Sequence, residues 1–415
     1  MGKQVKTPRF YVDIPTFLHA TGETQWAHGG HHTGYDGGKN FGGAELLYMN
    51  CANPFMRDGD NNGFNNNYMF KIGQNYQPES GSGADAKVGF KVNYIALLNH
   101  NLASEEAMPF IRGRYMMEDP NDELPAGGDG FYRNINSIPT TQWGEWTEKL
   151  NFNQSVPTGD TPLFDPMYNG TSIIAREDGQ GTERYYTTFE VFYATDASQD
   201  YDPDFPHQLG SFSVGRYFDC PNSPDLNLTM SRRFDGIKKQ KTIGGKTLAN
   251  IYYDGPTEWT MHKDRKDYDE PAGGEVYKYP AFELDEPSRI NSNFSSGGHF
   301  DDRAKSGLGR KGLRSWKLSF SYISEDDMWI DSEVSNRLKT DDSQTTNSSG
   351  MLSDDSFNFV WNCTLGGTLP FIFTDDKDSN APDRYAICNF RENTLNVQQV
   401  AFNTYKLSIT IDEVA

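Results

Sequence analysis

Two segments in the last quarter of the chain alternate apolar and polar residues. The apolar positions are Trp316, Leu318, Phe320 and Tyr322 in the first segment and Tyr405, Leu407, Ile409 and Ile411 in the second. Because successive side chains of a strand point to opposite faces, this period places one face on a core and the other in water. The pattern predicts antiparallel strands, and we expect residues 365–373, between the two segments, to be strand-like as well.

The composition extends this prediction to the whole chain. Of the 415 residues, 35% are apolar and 13% aromatic, and there are 40 glycines and 21 prolines. Frequent Gly, Pro, Asn and Asp interrupt nearly every segment, which favours short strands joined by turns over a helical bundle. The sequence therefore predicts a mainly β fold, with a length that suits two or three domains.

Further strand patterns divide the chain into three predicted segments. A strand near residues 9–15 opens a loop-rich arm over 1–80, and several short strands over 81–220 are typical of a β-sandwich or jelly roll. The closely spaced Pro221 and Pro224 mark a boundary, because neither can continue a central strand. A second β-rich domain is expected over 221–415, with long polar insertions at 254–310 and 332–356.

Charge and cysteine content restrict the functional classes. The formal net charge of −20 disfavours a nucleic-acid binder, since phosphate binding needs clustered Lys and Arg. One basic run is the exception, and we interpret it as a solvated loop or strand edge: Arg232, Arg233, Lys238, Lys239 and Lys241. The four cysteines are far apart and read as reduced side chains: Cys51, Cys220, Cys363 and Cys388. With no signal peptide or long apolar run, we expect synthesis in a cytoplasm and no membrane insertion.

Three loops carry residue types that could bind a metal. Asp58, Asp60, Asn62 and Gly63 match the first half of a calcium loop, but Met69 stands where the bidentate carboxylate belongs. Asp376, Asp378 and Asn380 repeat this spacing without the glycine, and a hairpin loop explains them better. His28, His31 and His32 could bind zinc or copper with Asp36, although their spacing is not that of a helical hydrolase site. We favour turns and loop contacts in each case and predict no metal site.

The remaining chemical motifs are weaker. Residues 242–247 end like a phosphate-binding loop, but Gln240 replaces its first glycine. The adjacent Glu325, Asp326 and Asp327 could suggest a glycosidase pair, yet carboxylates are abundant throughout the chain. No catalytic or cofactor-binding residues are predicted. A group of aromatic residues could stack on sugars, although core and subunit contacts are favoured: Trp143, Trp146, Tyr185, Tyr186, Tyr193 and Tyr217.

Several segments resemble tailed-bacteriophage virion proteins. Residues 94–102, Tyr-Ile-Ala-Leu-Leu-Asn-His-Asn-Leu, are similar to a segment of phage proteins with discoidin-like (galactose-binding-like) jelly rolls. Residues 224–228, 315–320, 366–373 and 400–414 resemble pieces of minor tail or distal-tail proteins. These separate pieces comprise 43 of the 415 residues.

The resemblance implies a non-enzymatic virion subunit. Such a protein forms a ring or collar by homo-oligomerisation and links the tail tube to fibres, baseplate or other host-recognition parts. We expect the arm before residue 80 and the loop at 332–356 to cross between subunits. Two alternatives remain open: a carbohydrate-binding or glycan-active protein that contacts host-surface glycans, and a head-decoration or neck protein.

Overall fold

The computed structural model has a mainly β fold, as the sequence predicts. The residues that it describes are 5–21, 27–28, 46–49, 55–57, 67–71, 90–100, 102, 108–115, 146–150, 166, 170–176, 185–194, 207–233, 237–251, 313–329, 356–381 and 384–414. Within these ranges, the strands form antiparallel sheets of 12, 5 and 2 strands. A jelly-roll connection of the N-terminal strands stays a prediction.

The 12-stranded sheet is the framework of the molecule. Its main path runs through β12 (Thr229–Arg233), β15 (Leu313–Ser324), β19 (Thr404–Glu413), β17 (Tyr385–Phe390), β16 (Phe371–Thr374), β1 (Arg9–Asp13), β11 (His207–Asp219), β6 (Tyr94–His100), β9 (Gly170–Arg176) and β8 (Trp146–Leu150). Two further strands join its sides, with β18 (Val397–Ala401) on β19 and β3 (Phe55–Arg57) on β11.

The N-terminal strand β1 lies in the middle of this sheet. Arg9 pairs with Asp219 of β11 on one side and with Thr374 of β16 on the other. β1 and β11 approach closely where Asp13 faces Gly215, and a Cβ on Gly215 would lie 2.2 Å from the Val12 carbonyl oxygen. Glycine is therefore required at that position, and the first strand of the chain holds the two halves of the sheet together.

The remaining strands form two smaller sheets. The 5-stranded sheet contains β2 (Ala27–His28), β4 (Asn67–Lys71), β10 (Tyr185–Ala194), β5 (Phe90–Lys91) and β7 (Met108–Tyr115). The 2-stranded sheet is a hairpin of β13 (Ile237–Lys241) and β14 (Thr247–Ile251). The division into segments 1–80, 81–220 and 221–415 stays a prediction, although strands from all three segments share the large sheet.

The alternation in the C-terminal segments is confirmed except at Tyr322 and at Thr410, which is buried although it belongs to the polar face. Trp316, Leu318 and Phe320 of β15 are buried, as are Leu407, Ile409 and Ile411 of β19. The prediction for Tyr322 is wrong, since this side chain is exposed and Ile323 is buried in its place. The pairing of β15 with β19 shifts between Phe320 and Ile323, and an extra residue of this kind reverses the alternation.

Residues 365–373 are only partly a strand, which corrects the sequence prediction. A helix at Phe357–Cys363 precedes them, and the chain leaves it through Leu365, Gly366 and Gly367, all with positive φ. A Cβ on Gly367 would lie 2.6 Å from the Cβ of Phe390, so the exit packs tightly against β17. Glycines with positive φ commonly end helices, and the strand β16 begins only at Phe371.

Three short helices cover one face of the large sheet in the described part of the chain. They are α1 (Ile14–Ala20), α2 (Glu325–Met328) and α3 (Phe357–Cys363). α1 begins where the predicted strand 9–15 was expected to continue, because Pro15 suits the first turn of a helix. Ser324 and Ser356 cap α2 and α3 by accepting hydrogen bonds from backbone amides of the first turn. Ser356, the last residue of the predicted 332–356 insertion, therefore belongs to the core.

The core under these helices is aromatic. Phe10 of β1 is its hub, and five ring centroids lie within 6.4 Å of it: those of Phe218, Phe357, Phe371, Phe373 and Phe390. Trp316 extends this cluster through Phe373, with the two centroids 5.1 Å apart. Such packing fixes the positions of β15, β16 and α3 relative to β1.

Candidate functional site: an exposed ribbon end on a buried ionic frame

Large apolar side chains are exposed where β15, β18 and β19 form a three-stranded ribbon. Tyr322 at the bulge of β15 is 74% exposed, and Phe402 in the β18–β19 turn is 88% exposed. Leu226 is 96% exposed and Val400 is 45% exposed. We call Leu226, Tyr322, Val400 and Phe402 the ribbon-end patch. The segments that carry these side chains adjoin in the ribbon, which makes this end of the sheet a candidate contact site.

Hydrogen bonds hold the segments that carry this patch. The Asp225 amide donates to the Ser319 carbonyl at 2.7 Å, and the Ser321 hydroxyl donates to the Asp225 carboxylate at 2.6 Å. These bonds fix the turn with Leu226 beside β15. Leu226 precedes β12, which begins only at Thr229. The patch is therefore presented by ordered backbone.

The short helix α2 connects the same end of the sheet to the β18–β19 turn. The Glu325 amide donates to the Asn403 carbonyl at 3.2 Å, which places α2 beside Phe402. Glu325, Asp326 and Asp327 form its single turn, and Asp327 accepts a hydrogen bond from the Ser324 hydroxyl at 2.5 Å. The three carboxylates that the sequence raised as a possible glycosidase pair thus form an acidic border next to the ribbon-end patch.

A buried arginine anchors β1 to β11 on the opposite face of the sheet from Phe10. Arg9 is 2% exposed, and its Nη2 donates to an Asp219 carboxylate oxygen at 2.9 Å. Its guanidinium carbon also lies 3.8 Å from the centroid of the Tyr217 ring. Lys377, in the loop between β16 and β17, approaches Asp219 at 3.4 Å. One carboxylate thus links the N-terminal strand, the end of β11 and the C-terminal half of the chain.

A second ionic group lies in the β16–β17 loop. Arg384 Nη1 is 2.9 Å from an Asp375 carboxylate oxygen, and Lys6 Nζ is 3.0 Å from one of Asp376. Burial raises the pKa of the Asp375 carboxyl, and the charge of Arg384 offsets part of that effect. Asp376 is thus an ion-pair residue of a hairpin loop, as the sequence analysis favoured, and it holds the N-terminal segment.

Asp13 is a buried carboxyl at the junction of β1 and α1. It accepts hydrogen bonds from the Thr16 hydroxyl at 2.5 Å and from the Val214 amide at 3.4 Å. Burial raises the pKa of Asp13 to about 7, and these hydrogen bonds only partly oppose that rise. The folded chain therefore binds the Asp13 proton more tightly than a solvent-exposed carboxyl would.

Asp13 gives a testable pH dependence. Its pKa rises from 3.8 in the unfolded chain to about 7 in the folded chain, so the folded state binds this proton more tightly. The resulting stabilisation is fully present below about pH 4 and is lost as the pH rises through 7. We expect Asp13→Asn, relative to wild type, to gain melting temperature between pH 4 and pH 8. A constant difference in melting temperature across that range would contradict the assignment.

His100 is a buried neutral histidine. The Leu102 amide donates to its Nδ1 at 3.4 Å, so the ring proton lies on Nε2, which is 2.8 Å from the Ser172 hydroxyl. Burial lowers the pKa of His100 to about 3, which keeps the imidazole uncharged at neutral pH. These contacts connect β6 to β9, so His100, which belongs to segment 94–102, has a structural role.

The phosphate-loop-like residues 242–247 form the turn of the β13–β14 hairpin. The Gly245 amide donates to the Thr242 carbonyl at 2.9 Å, and the Thr242 amide donates to the Lys246 carbonyl at 2.8 Å. Gly245 has a φ of 82°, which suits a tight turn. These residues connect two strands and do not open a helix, which agrees with rejecting the phosphate-loop interpretation.

The basic run falls on two neighbouring elements. Arg232 and Arg233 lie on β12, an edge strand of the large sheet, while Lys238, Lys239 and Lys241 lie on β13. The side chains of Arg232, Arg233, Lys239 and Lys241 are exposed. This exposure agrees with a solvated loop or strand edge, and that interpretation stays a prediction.

The structure describes only some of the other residues that the sequence raised as candidates. Tyr217 is half-buried, and its hydroxyl donates to the Arg176 carbonyl at 2.6 Å, so it packs within the chain. Cys220, Cys363 and Cys388 are buried thiols, as expected of reduced cysteines. The other candidates, or their side chains, lie outside the described residues: His28, His31, His32, Asp36, Cys51, Asp58, Asp60, Asn62, Gly63, Met69, Trp143, Trp146, Tyr185, Tyr186 and Tyr193.

Comparisons with known proteins add no relative. No family model, no curated protein and no solved structure matches the chain. Within the described ranges, His, Cys, Asp and Glu side chains do not gather in groups of three that could hold a metal ion. No helix in that part of the chain combines the length and apolar character needed to cross a membrane. The ribbon-end patch and its frame are thus interpreted from their own chemistry.

Proposed function

We propose that the chain is a structural component of a bacteriophage virion. In this proposal it is a non-enzymatic tail-tip, distal-tail or tail-adaptor subunit that assembles with copies of itself. It would join the tail tube to fibres, baseplate or other host-recognition parts, after assembly in the host cytoplasm. The ribbon-end patch is the observation that carries the proposal, because exposed aromatic side chains on a rigid sheet are suited to permanent protein contacts.

The arrangement of the phage-like segments supports the same proposal. Residues 315–320 lie in β15, 371–373 in β16 and 94–100 in β6, while residues 400–414 include all of β19. These segments are distant in sequence but belong to one sheet. The segment 224–228 supplies Leu226 to the ribbon-end patch. The resemblance therefore concerns the framework together with part of its exposed contact surface.

Rigidity matters for a subunit of this kind. Ionic groups around Arg9 and Asp375 connect the start of the chain to its C-terminal half, and the aromatic cluster around Phe10 fills the space beneath α3. A ring or collar transmits force between subunits only if each subunit keeps its shape. The sheet provides such a body, and the charge of −20 favours solubility before assembly.

Self-assembly can be tested with the purified full-length chain. We expect light scattering after size-exclusion chromatography to show a defined oligomer at micromolar concentration, and electron microscopy to show closed rings. Mass spectrometry of particles of the phage that encodes the chain should find it in stoichiometric amounts. A chain that stays monomeric at high concentration and is missing from the particles would contradict the proposal.

A further inference from the structure

The β13–β14 hairpin presents an apolar tip between positive charges. Ile243 is fully exposed at the turn, and Lys241 and Lys246 are exposed on either side of it. Farther from the turn, Lys239 adds an exposed positive charge on one strand and the half-exposed Leu248 adds an apolar side chain on the other. We call this feature, residues 239–248, the basic hairpin tip.

This hairpin has little support from the rest of the described chain. β13 and β14 pair with each other and with no further strand among the described residues. From 239 to 248, the side chains are exposed except for the intermediate Thr242. A two-stranded hairpin alone in water is only marginally stable, so burial of its tip against a partner would stabilise it.

The ribbon-end patch has the complementary character. Its aromatic side chains, Tyr322 and Phe402, lie beside the exposed carboxylates of Glu325 and Asp326 on α2. An apolar tip with lysines on both sides matches an apolar patch with an acidic border. Oppositely charged surfaces increase the rate of encounter and fix the register of a contact.

The basic hairpin tip and the ribbon-end patch are two different surfaces, formed by different parts of the chain. Arg233, the end of β12 from which the chain leads to the hairpin, faces Leu313 at the start of β15. Tyr322 is near the other end of β15. A contact between the two surfaces of different copies is therefore head-to-tail, which closes into a ring when the rotation between copies allows it.

We infer that the basic hairpin tip of one copy docks on the ribbon-end patch of the next copy. The inference rests on the proposed self-assembly and names the surfaces that form it. A second copy is the occupant that the charges favour, because one chain carries both halves of the contact. In a chain with a net charge of −20, copies repel one another, and a local cluster of lysines offsets that repulsion at the contact.

Charge reversal on either surface tests the contact. We expect Lys241→Glu with Lys246→Glu to raise the dissociation constant of self-association about tenfold or more, because like charges then face each other. Glu325→Lys with Asp326→Lys should have the same effect. A chain with all four changes restores the opposite charges and should associate as wild type does. Sedimentation velocity at several concentrations measures each constant.

Conservative variants at the same positions provide the matched control. Lys241→Arg with Lys246→Arg keeps both charges and should leave self-association unchanged, while circular dichroism verifies that every variant is folded. Wild-type association of the charge-reversed hairpin, or failure of the fourfold variant to recover, would overturn the docking inference and leave the proposed function standing. A wild-type chain that is monomeric overturns both.

Cross-linking locates the contact directly. Chains with Ile243→Cys and chains with Phe402→Cys are mixed and treated with a short bismaleimide, with Cys51 replaced by serine in both. The three cysteines that the structure describes, Cys220, Cys363 and Cys388, are buried. The reagent should therefore react with the introduced thiols. We expect a cross-linked pair of chains in the mixture and little of it in either chain alone. Its absence under conditions in which wild type assembles would overturn the inference.

Discussion

Asp219→Ala is expected to lower the free energy of unfolding by about 3 kcal/mol, since breaking a buried ion pair leaves its partner's charge without compensation. Asp219 accepts two hydrogen bonds from Arg9, whose side chain is buried at the centre of the sheet. Asp219 itself is 26% exposed, so the value lies at the lower end of the usual range. Denaturation with urea, followed by tryptophan fluorescence, measures the change.

A second arginine–aspartate pair provides the matched control. Arg391 binds Asp412 through two hydrogen bonds at 2.8 and 2.6 Å, but the two side chains are 53% and 35% exposed. Removing an exposed pair of this kind costs less than about 1 kcal/mol. Asp412→Ala should therefore change stability much less than Asp219→Ala. Equal effects of the two substitutions would show that the burial of Arg9 does not govern its energetic contribution.

The local parts of the fold follow from the sequence. β6 is buried on both faces, and a continuous apolar run such as residues 95–98 is typical of such a strand. β19 alternates from Lys406 to Ile409, as its period of two predicts. These predictions depend on neighbouring residues alone. The sequence also sufficed to reject a phosphate loop at residues 242–247, because Gln240 replaces its first glycine.

The arrangement of these strands in the sheet did not follow. β1 pairs with β11 and β16, which lie about 200 and 360 residues away, and no local pattern records such partners. The helix α3 was also missed. Its signals were present in the serine cap at 356, the apolar positions Phe357, Val360 and Cys363, and the glycines that follow. Because residues 371–373 have a strand pattern, the sequence predicts the whole segment 365–373 to be strand-like.

The exposure of Tyr322 in the candidate contact surface depends on a β-bulge, which the alternation of residue types does not reveal. In a regular strand, Tyr322 would lie on the same buried face as Trp316 and could not contact a partner. The bulge between Phe320 and Ile323 turns it outward, and bulges depend on pairing with the neighbouring strand. The exposure of Leu226 and Phe402 likewise results from turns whose position is set by β15 and α2.

Trp316→Ala is expected to have the largest effect on stability, about 3 to 5 kcal/mol, through loss of apolar burial and creation of a cavity. Trp316 is fully buried between strands, its ring packs on Phe373, and the Arg314 guanidinium lies 5.1 Å from the ring centroid. Removal of the indole therefore disturbs both the aromatic core and the neighbouring ion pair of Arg314 with Glu413. Guanidinium denaturation monitored by far-ultraviolet circular dichroism measures the loss.

Tyr322→Ala, on the same strand, is the control. It tests whether the bulge turns this side chain outward, since in a regular strand the tyrosine would be buried. With its side chain exposed, this substitution should change the free energy of unfolding by no more than about 0.5 kcal/mol. The same variant should nevertheless weaken self-association, because Tyr322 belongs to the ribbon-end patch. A large loss of stability for Tyr322→Ala would place the tyrosine in the core and remove it from the contact surface. A stable chain with weakened assembly would assign the tyrosine to binding between copies.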